Sequence, residues 1–283
     1  MPLVTSEKVL KKAQAGGYAV GAFNANNLEY VQAIVEAAEE ERAPVILQAS
    51  QGAIKYAGLE MIVAMVRTLA EAATVPVVLH LDHGRSFEQN VKCLRAGFTS
   101  LMYDGSKLPY DENAAITRKV VEMAHVVGVP VEAELGQVPD AGKVTMEEVE
   151  AFMTDPDEAK KFVEETGLDF LAVAVGSIHG MKSQAAEIDI DRTKKIADLT
   201  GVPLVLHGAS GVTDEGYKAG IKAGICKINI ATELNKAFTR GMHDALAKNP
   251  NEIDPRKIAG VGREYVKEAI KAKMRLFGCS GKA

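Results

Sequence analysis

The sequence of 283 residues lacks two features that would direct it to or through a membrane. No apolar stretch approaches the roughly 20 residues that a membrane-spanning helix needs. The first residues also lack the basic segment and apolar run of a signal peptide. We therefore expect a soluble, cytoplasmic protein without a membrane partner.

Cysteine and basic charge are also scarce. The three cysteines, Cys93, Cys226 and Cys279, are odd in number and match no metal-binding or redox spacing, so we expect reduced, structural thiols. The formal net charge is −5, with 38 acidic and 33 basic side chains. Because nucleic-acid binding normally needs a basic excess, this charge argues against a nucleic-acid partner. The same charge does not argue against small anionic substrates.

Short apolar runs alternate along the chain with helix-length segments of 3.6-residue periodicity. Four runs are entered through Pro44, Pro76, Pro130 and Pro203, and proline suits the first residue of a strand because no ladder donor is lost there. The runs predict eight strands: 20–24, 44–49, 76–81, 99–103, 130–135, 169–175, 203–207 and 226–230. The helical patterns lie near 28–41, 58–73, 86–96, 111–127, 156–166, 190–199, 213–223 and 231–247.

Eight strand–helix units predict one α/β domain over residues 1–283, a (β/α)8 TIM barrel. The strands are nearly all apolar, as expected when helices cover one face and packed side chains the other. An open doubly wound sheet is less favoured, because no Gly-x-Gly-x-x-Gly turn follows the first strand. We also predict a lead-in helix over 2–15, a C-terminal helix over 255–277 and a mobile active-site loop over 136–156.

Polar side chains stand at the carboxyl ends of the predicted strands, where barrel enzymes keep their catalytic groups. Unpaired buried polar groups are costly, so strand ends built for stability alone would not collect histidine and carboxylate so consistently. In chain order these residues are Asn24, Ser50, Asp82, His83, Asp104, Glu134, His179, His207 and Asn229.

Three of the six histidines, His83, His179 and His207, follow strands 3, 6 and 7 and should meet at one mouth of the barrel. One such histidine would more often be a hydrogen-bonded structural group. Three imidazoles with an open fourth position are the ligand set of a catalytic zinc site. His80 lies deeper in its strand and is interpreted as a hydrogen-bonded supporting group.

Small residues follow strands 7 and 8, in Gly208-Ala209-Ser210-Gly211 and Asn229-Ile230-Ala231-Thr232. Small residues let backbone amides approach an anion, and these two loops form the usual phosphate site of barrels. Alone, they would be equally consistent with tight turns. Beside a metal site they favour phosphate.

Together these residues resemble the class II, metal-dependent ketose-bisphosphate aldolases, the family of fructose-1,6- and tagatose-1,6-bisphosphate aldolases. The similar motifs run almost from end to end: Gly21-Ala-Phe-Asn24, His80-Leu-Asp-His83-Gly84, Ala96-Gly-Phe-Thr-Ser100, Val131-Glu-Ala-Glu-Leu-Gly136, Gly176-Ser-Ile-His179-Gly180, Leu206-His207-Gly-Ala-Ser210-Gly211, Lys227-Ile-Asn229-Ile-Ala-Thr-Glu233 and Asp254-Pro-Arg256-Lys257.

The resemblance implies reversible cleavage of a ketose 1,6-bisphosphate to dihydroxyacetone phosphate and glyceraldehyde 3-phosphate through a zinc-stabilised enediolate. It implies one catalytic Zn2+ on the three histidines, Asp82 as the catalytic acid/base, and Glu134 and Asp104 near a second metal position. Arg256 matches an arginine that reaches the far phosphate from a neighbouring subunit, which implies a homodimer or homotetramer.

The resemblance also implies a site for the phosphorylated sugar, with a monovalent cation, Na+ or K+, among backbone carbonyls. The substrate- and phosphate-binding residues would be Asn24, Ser50, Gly180, Lys182, Gly208, Ala209, Ser210, Asn229, Ala231 and Thr232.

The sequence departs from the family pattern after strand 5. Gln137-Val-Pro-Asp140-Ala-Gly-Lys143 replaces the usual glycine pair and acidic cluster, and Lys107 stands where histidine is common. The acid that protonates the enediolate could be Asp140, Glu147 or Glu148.

Several functions stay open. The Asn-Ile-Ala-Thr-Glu-Leu ending of strand 8 favours tagatose bisphosphate, whereas the commoner activity is on fructose bisphosphate. A dihydroxyacetone-phosphate aldolase for another aldehyde, of inositol-catabolism type, is an alternative. A Schiff-base aldolase would use Lys227, which we interpret instead as the partner of Glu132 or Glu134. An amidohydrolase would need His-x-His on the first strand, and a non-catalytic aldolase-like subunit would not need the three histidines and Asp82.

Overall fold

Eight parallel strands form the centre of the computed structural model, which describes residues 3–143, 145, 148–181 and 185–283. Their hydrogen-bonded order is the third, second, first, eighth, seventh, sixth, fifth and fourth strand, so the first and last strands are neighbours. The strands are β1 Val20–Asn24, β2 Val45–Ser50, β3 Val77–Asp82, β4 Leu101–Tyr103, β5 Val131–Leu135, β6 Phe170–Val173, β7 Leu204–Leu206 and β8 Ile225–Ile230.

The two ends of this sheet, β3 and β4, also meet. The backbone nitrogen of Leu81 donates to the oxygen of Ser100 at 3.0 Å, and the nitrogen of Thr99 donates to the oxygen of Leu79 at 2.9 Å. The sheet therefore curls into a nearly closed barrel, and the predicted (β/α)8 fold is confirmed. Each predicted strand overlaps an observed one, although the four prolines directly precede their strands instead of opening them.

Helices surround the barrel. The lead-in helix begins at Ser6 rather than at residue 2, which lies outside the described residues, because Thr5 is still extended. The C-terminal helix has the predicted bounds. The helices in the described part of the chain are α1 Ser6–Gly16, α2 Leu28–Glu41, α3 Gln51–Ala57, α4 Leu59–Ala72, α5 Phe87–Ala96, α6 Tyr110–His125, α7 Pro156–Thr166, α8 Ile190–Thr200, α9 Asp214–Ala223, α10 Thr232–Lys248 and α11 Pro255–Phe277.

Helix α3 was not predicted, and it lies at the mouth of the barrel. The side-chain oxygen of Ser50 accepts a hydrogen bond from the backbone nitrogen of Ala53 at 3.3 Å and so caps the helix directly after β2. A capping serine stabilises even a short helix that starts Gln-Gly-Ala. Gly58, with φ 89°, then separates α3 from α4.

The connection between β5 and α7 is anchored at its base. Thr154 donates from its side chain to the oxygen of Leu135 at 2.6 Å and accepts from the nitrogen of Ala174 at 2.9 Å. A 3₁₀ turn, Val149–Phe152, precedes this anchor. Residues 144, 146 and 147 are outside the described part, and the mobility of the connection stays a prediction.

The structure also bears on membrane insertion and on the cysteines. None of the helices in the described ranges combines the length and apolar character needed to cross a bilayer. All three cysteines are buried free thiols, as predicted.

Candidate metal and active site

The carboxyl ends of the strands open into a cavity of about 620 Å³. Two buried predicted residues, Asp82 and His207, contact His83 of the cavity wall, and buried Asn229 contacts both of them. The predicted residues that line the cavity itself are Ser50, His83, Asp104, Glu134, His179, Gly180 and Thr232.

Other predicted residues are not part of this wall. Asn24 accepts a hydrogen bond from the Gln48 side-chain amide at 2.8 Å at the end of β1. Arg256 is exposed at the start of α11 and pairs with its own Asp254 at 2.8 Å. Lys182 and Glu147 lie outside the described residues.

The three predicted histidine ligands converge. Each of His83, His179 and His207 offers a ring nitrogen within 4.8 Å of the other two. His83 adopts φ 50°, a left-handed conformation uncommon for residues other than glycine. Such backbone strain persists only where the surrounding structure fixes it. Here the left-handed conformation turns His83, directly after β3, into the mouth of the barrel.

Hydrogen bonds assign the proton on two of these rings. Nδ1 of His83 lies 2.8 Å from Oδ2 of Asp104, and Nε2 of His207 lies 2.8 Å from Oε1 of Glu132. A carboxylate only accepts, so Nδ1 of His83 carries hydrogen. Nε2 of His207 also lies 3.2 Å from the donor Nδ2 of Asn229, but its shorter contact is with the Glu132 carboxylate, and we assign the hydrogen to Nε2 on that ground. The remaining ring nitrogens, His83 Nε2 and His207 Nδ1, face each other at 3.0 Å.

The surrounding charges favour a cation between these rings. Burial lowers the pKa of His83, but the carboxylates of Asp82 and Asp104 outweigh it and raise the pKa to about 10. Burial, aided by the charge on His83, lowers the pKa of His179 to about 4 and holds that of His207 well below its ordinary value. His179 and His207 are therefore neutral and keep the lone pair that a metal ligand needs.

These residues fit a zinc ion. Two imidazole nitrogens on tetrahedral zinc lie about 3.3 Å apart, close to the observed 3.0 Å between His83 and His207. Burial, followed by the charge of Asp104, raises the pKa of Glu134 to about 8. Oε2 of Glu134 is buried without a hydrogen-bond partner among the described residues. His83, Asp104 and Glu134 form a second group that could hold a metal.

Asp82 stands beside the histidines with one carboxylate oxygen held in place. Its Oδ1 accepts a hydrogen bond from Nδ2 of Asn229 at 3.2 Å and lies 3.8 Å from Nε2 of His83. Asp82 as a residue is only 5% exposed. It can take or return a proton close to the candidate metal position.

The polar connection after β5 reaches this site. The nitrogen of His179 donates to the oxygen of Pro139, and the nitrogen of Ala141 donates to the oxygen of His179, both at 2.8 Å. Asp140 consequently lines the cavity and pairs with Lys143 at 2.6 Å. Glu148, by contrast, accepts a hydrogen bond from the nitrogen of Thr145 and is not part of the described lining.

Gly208, in the first of the two predicted phosphate loops, needs to be glycine. Gly208 adopts φ 62°, and a side chain there would meet the carbonyl carbon of Ile178 at 2.8 Å. A 3₁₀ turn, Ala209–Gly211, follows. Thr232, next to Ala231, begins α10 and lines the cavity.

The chain matches the family model described as "Fructose-bisphosphate aldolase class-II" over residues 4–282. The chain belongs to the class II fructose-bisphosphate aldolase family. It is 48% identical over 305 aligned positions to fructose-bisphosphate aldolase of Thermus caldophilus, covering 99% of this chain and 100% of that protein. It is 49% identical over 286 positions to the same-named protein of Geobacillus stearothermophilus, covering 100% and 99%.

A solved structure agrees with this assignment. The crystal structure of the YdjI aldolase from Escherichia coli K12 matches with a TM-score of 0.86 and 37% identity, covering 99% of each chain. This class II aldolase is therefore an aldehyde-lyase of a metal-dependent family.

Lys227 lies in the barrel interior with the predicted carboxylate partner. Its ammonium lies 2.8 Å from Oε2 of Glu132, as predicted for a structural lysine, and it is 1% exposed. His80 is the predicted buried supporting group, with Nδ1 at 2.7 Å from Ser100 Oγ.

Sequence reasoning missed three cations of the cavity as site residues. Arg85, Lys107 and Lys143 lie on the described cavity wall. Arg85 follows the His83-Gly84 pair and could have been found from that spacing, whereas Lys107 and Lys143 lie in loops whose course the sequence does not fix.

Proposed function

We propose that this chain reversibly cleaves a ketose 1,6-bisphosphate, preferentially fructose 1,6-bisphosphate, to dihydroxyacetone phosphate and glyceraldehyde 3-phosphate. One observation carries the proposal: the buried carboxylate of Asp82 adjoins three convergent imidazoles at a cavity of about 620 Å³, which is within the usual range for small-molecule sites. The names of the Thermus and Geobacillus relatives support fructose bisphosphate as the substrate.

We assign His83, His179 and His207 as ligands of one catalytic Zn2+, and Asp104 and Glu134 as carboxylates of a second metal position. When bound, zinc supplies a Lewis acid that stabilises negative charge developing on the C2 oxygen of the substrate. The hydrogen bond from His83 to Asp104 fixes the orientation of that ring.

Asp82 accepts the proton of the C4 hydroxyl as the C3–C4 bond breaks, and the electron pair of that bond passes towards C3 and the C2 carbonyl. Asn229 donates a hydrogen bond to Asp82 and so fixes the orientation of its carboxylate. C4 becomes the aldehyde carbon of glyceraldehyde 3-phosphate. C3 then takes a proton, which completes dihydroxyacetone phosphate.

We assign the proton exchange at C3 to Asp140. It lines the cavity, and its flanking backbone bonds to His179 support this choice over Glu148. The hydrogen bond from Lys143 lowers the pKa of Asp140, so the carboxylate is ionised. An ionised carboxylate suits the condensation direction, in which this group removes a proton from C3, and cleavage is the reverse of that step.

We propose that backbone amides and small side chains hold the phosphate of the dihydroxyacetone half. The N-terminus of α10, beginning at Thr232, supports this role because its free amides attract anions. A monovalent cation, Na+ or K+, would bind among the carbonyls of the same loops. The residues assigned to substrate and phosphate are Asn24, Ser50, Gly180, Lys182, Gly208, Ala209, Ser210, Asn229, Ala231 and Thr232.

The deciding experiment compares cleavage of fructose and tagatose 1,6-bisphosphates while the metal content is assayed. We expect faster cleavage of the fructose epimer, loss of both activities with a chelator, and recovery with Zn2+. The sequence around Ala231 makes tagatose bisphosphate the second candidate, and a faster rate on it would reverse the preference. Inactivation by borohydride in the presence of substrate would contradict the zinc mechanism and favour Lys227.

A further inference from the structure

A connected set of buried polar groups lies beneath the three histidines. From His207 Nε2, Glu132 Oε1 is 2.8 Å away, and Glu132 Oε2 is 2.8 Å from the ammonium of Lys227. Lys227 in turn lies 3.4 Å from His80 Nε2. All four side chains are at most 1% exposed. The assigned reaction gives Glu132 and Lys227 no role.

The bond to Glu132 determines which nitrogen of His207 is free. With hydrogen on Nε2, the ring donates to the carboxylate and directs the Nδ1 lone pair at His83, 3.0 Å away. In the other tautomer, the Nε2 lone pair would face the carboxylate without a proton between them, and its one nearby donor would be Nδ2 of Asn229, at 3.2 Å. Buried acceptors that face each other in this way are destabilised by the full loss of their hydrogen bond.

Lys227 determines how the side chain of residue 132 is oriented. Its ammonium has only donors, so it requires an acceptor atom at the position of Glu132 Oε2. A carboxylate can satisfy Lys227 with one oxygen and His207 with the other. A neutral amide offers one acceptor and one donor, so it cannot do both.

We propose that Glu132 is a positioning residue that keeps His207 in the tautomer presenting Nδ1 to the metal, with Lys227 as the counter-ion that Glu132 needs inside the barrel. This inference rests on the proposed metal site. The competing role is purely structural, in which Glu132 and Lys227 fill and neutralise the barrel interior. Outer partners of metal-bound histidines typically change metal affinity by about 10–100-fold when they are replaced.

The test uses Glu132→Gln, a variant of the same shape. Lys227 would turn the amide so that its oxygen faces the ammonium and its NH2 group faces His207 Nε2, which selects the wrong tautomer. We expect the affinity for Zn2+, measured on stripped protein by competition with a chromophoric chelator, to fall about 10–100-fold. In Glu132→Gln/Lys227→Met the amide is free to turn back, and we expect most of the affinity to return.

A second readout follows the tautomer itself. Long-range 1H–15N spectra of stripped, 15N-histidine-labelled protein should report His207 protonated at Nε2 in the wild type and at Nδ1 in Glu132→Gln. This measurement needs only the single variant, so it decides the question even if the double variant does not fold. The matched control is Ile196→Val, a fully buried change on α8. It should lower thermal stability and leave zinc affinity unchanged.

A folded Glu132→Gln protein that binds Zn2+ within about threefold of the wild type, well short of the 10–100-fold expected, would overturn the inference. So would an unchanged His207 tautomer, or a double variant that folds and stays as weak as the single one. If the wild-type protein itself binds no zinc through its three histidines, the proposed function fails instead, so the two failures are distinguishable.

Discussion

At the scale of single residues, the chemistry depends on how each polar group is held. Asp82 and Glu132 are both buried carboxylates, but their partners differ. Asp82 accepts from one neutral amide and lies close to the cavity, whereas Glu132 is bonded to a histidine and a lysine. Asp82 is therefore available to exchange a proton with substrate, whereas both oxygens of Glu132 are already bonded to His207 and Lys227.

Replacing Asp82 by alanine should therefore separate catalysis from metal binding. We expect zinc content to stay at the wild-type level, because Asp82 is not one of the three proposed imidazole ligands, and kcat to fall by about 10²–10⁴-fold. Steady-state kinetics on metal-assayed protein measure both. A kcat within about threefold of wild type, a change of less than ~1 kcal/mol in the barrier, would show that Asp82 is not the base.

At the scale of elements, the sequence predicted the strands well because each strand carries its own signal. An apolar run entered by proline can be recognised locally, and all eight strands were found. Helix α3 was missed because its stability depends on one capping hydrogen bond at Ser50. The convergence of three histidines followed from strand order, but the pairing of Glu132 with His207 joins residues 75 positions apart. Only the folded barrel specifies such a pair.

The connection after β5 should contain the group that exchanges the proton at C3. We expect Asp140→Asn to slow the exchange of the C3 hydrogen of dihydroxyacetone phosphate with solvent deuterium by about 10²-fold or more. Glu148→Gln is the matched comparison, because Glu148 bonds to Thr145 away from the described lining. NMR measures the exchange without requiring cleavage. If Glu148→Gln abolished exchange and Asp140→Asn did not, the two roles would be reversed.

The crossing of α10 and α11 depends on two small residues. A methyl group on Gly241 would lie 2.8 Å from Cα of Gly262 on the facing helix, whereas one on Gly260 would meet nothing within 4 Å. Overpacking typically costs about 1–3 kcal/mol, so Gly241→Ala should lower the free energy of unfolding by that amount. Gly260→Ala should raise it by about 0.5–1 kcal/mol through helix propensity.

Denaturant unfolding of both glycine variants, with zinc content as a check on the site, measures this difference. Equal stability of the two variants would mean that the helices separate without cost and that the close crossing has no importance for stability.

At the scale of the whole molecule, Arg256 lies apart from the cavity. The side chain of Arg256 is 89% exposed and pairs only with its own Asp254 among the described residues. We expect it to serve the far phosphate of a neighbouring subunit's substrate, in a homodimer or homotetramer. Arg256→Ala should then raise KM for the bisphosphate, while zinc affinity is unchanged.

Mixing two variants, assayed at a bisphosphate concentration well below the KM of Arg256→Ala so that each alone has little activity, tests whether Arg256 acts between subunits. If it does, mixed oligomers of Asp82→Ala and Arg256→Ala chains contain some sites with both residues intact, and activity should reappear after the subunits exchange. If Arg256 served its own chain, every site in the mixture would lack one residue and no activity would return.

The pairing of β1 with β8 has a consequence for how the chain is made. Ala22 of β1 cannot pair with Asn229 of β8 until Asn229 leaves the ribosome, some 200 residues later. Until then the growing sheet has open edges, which are templates for pairing with other chains. The proposed zinc ligands at positions 83, 179 and 207 are synthesised over the same interval, so we expect that zinc cannot guide the early part of folding. We expect nascent chains that stop before β8 to be the form most dependent on chaperones.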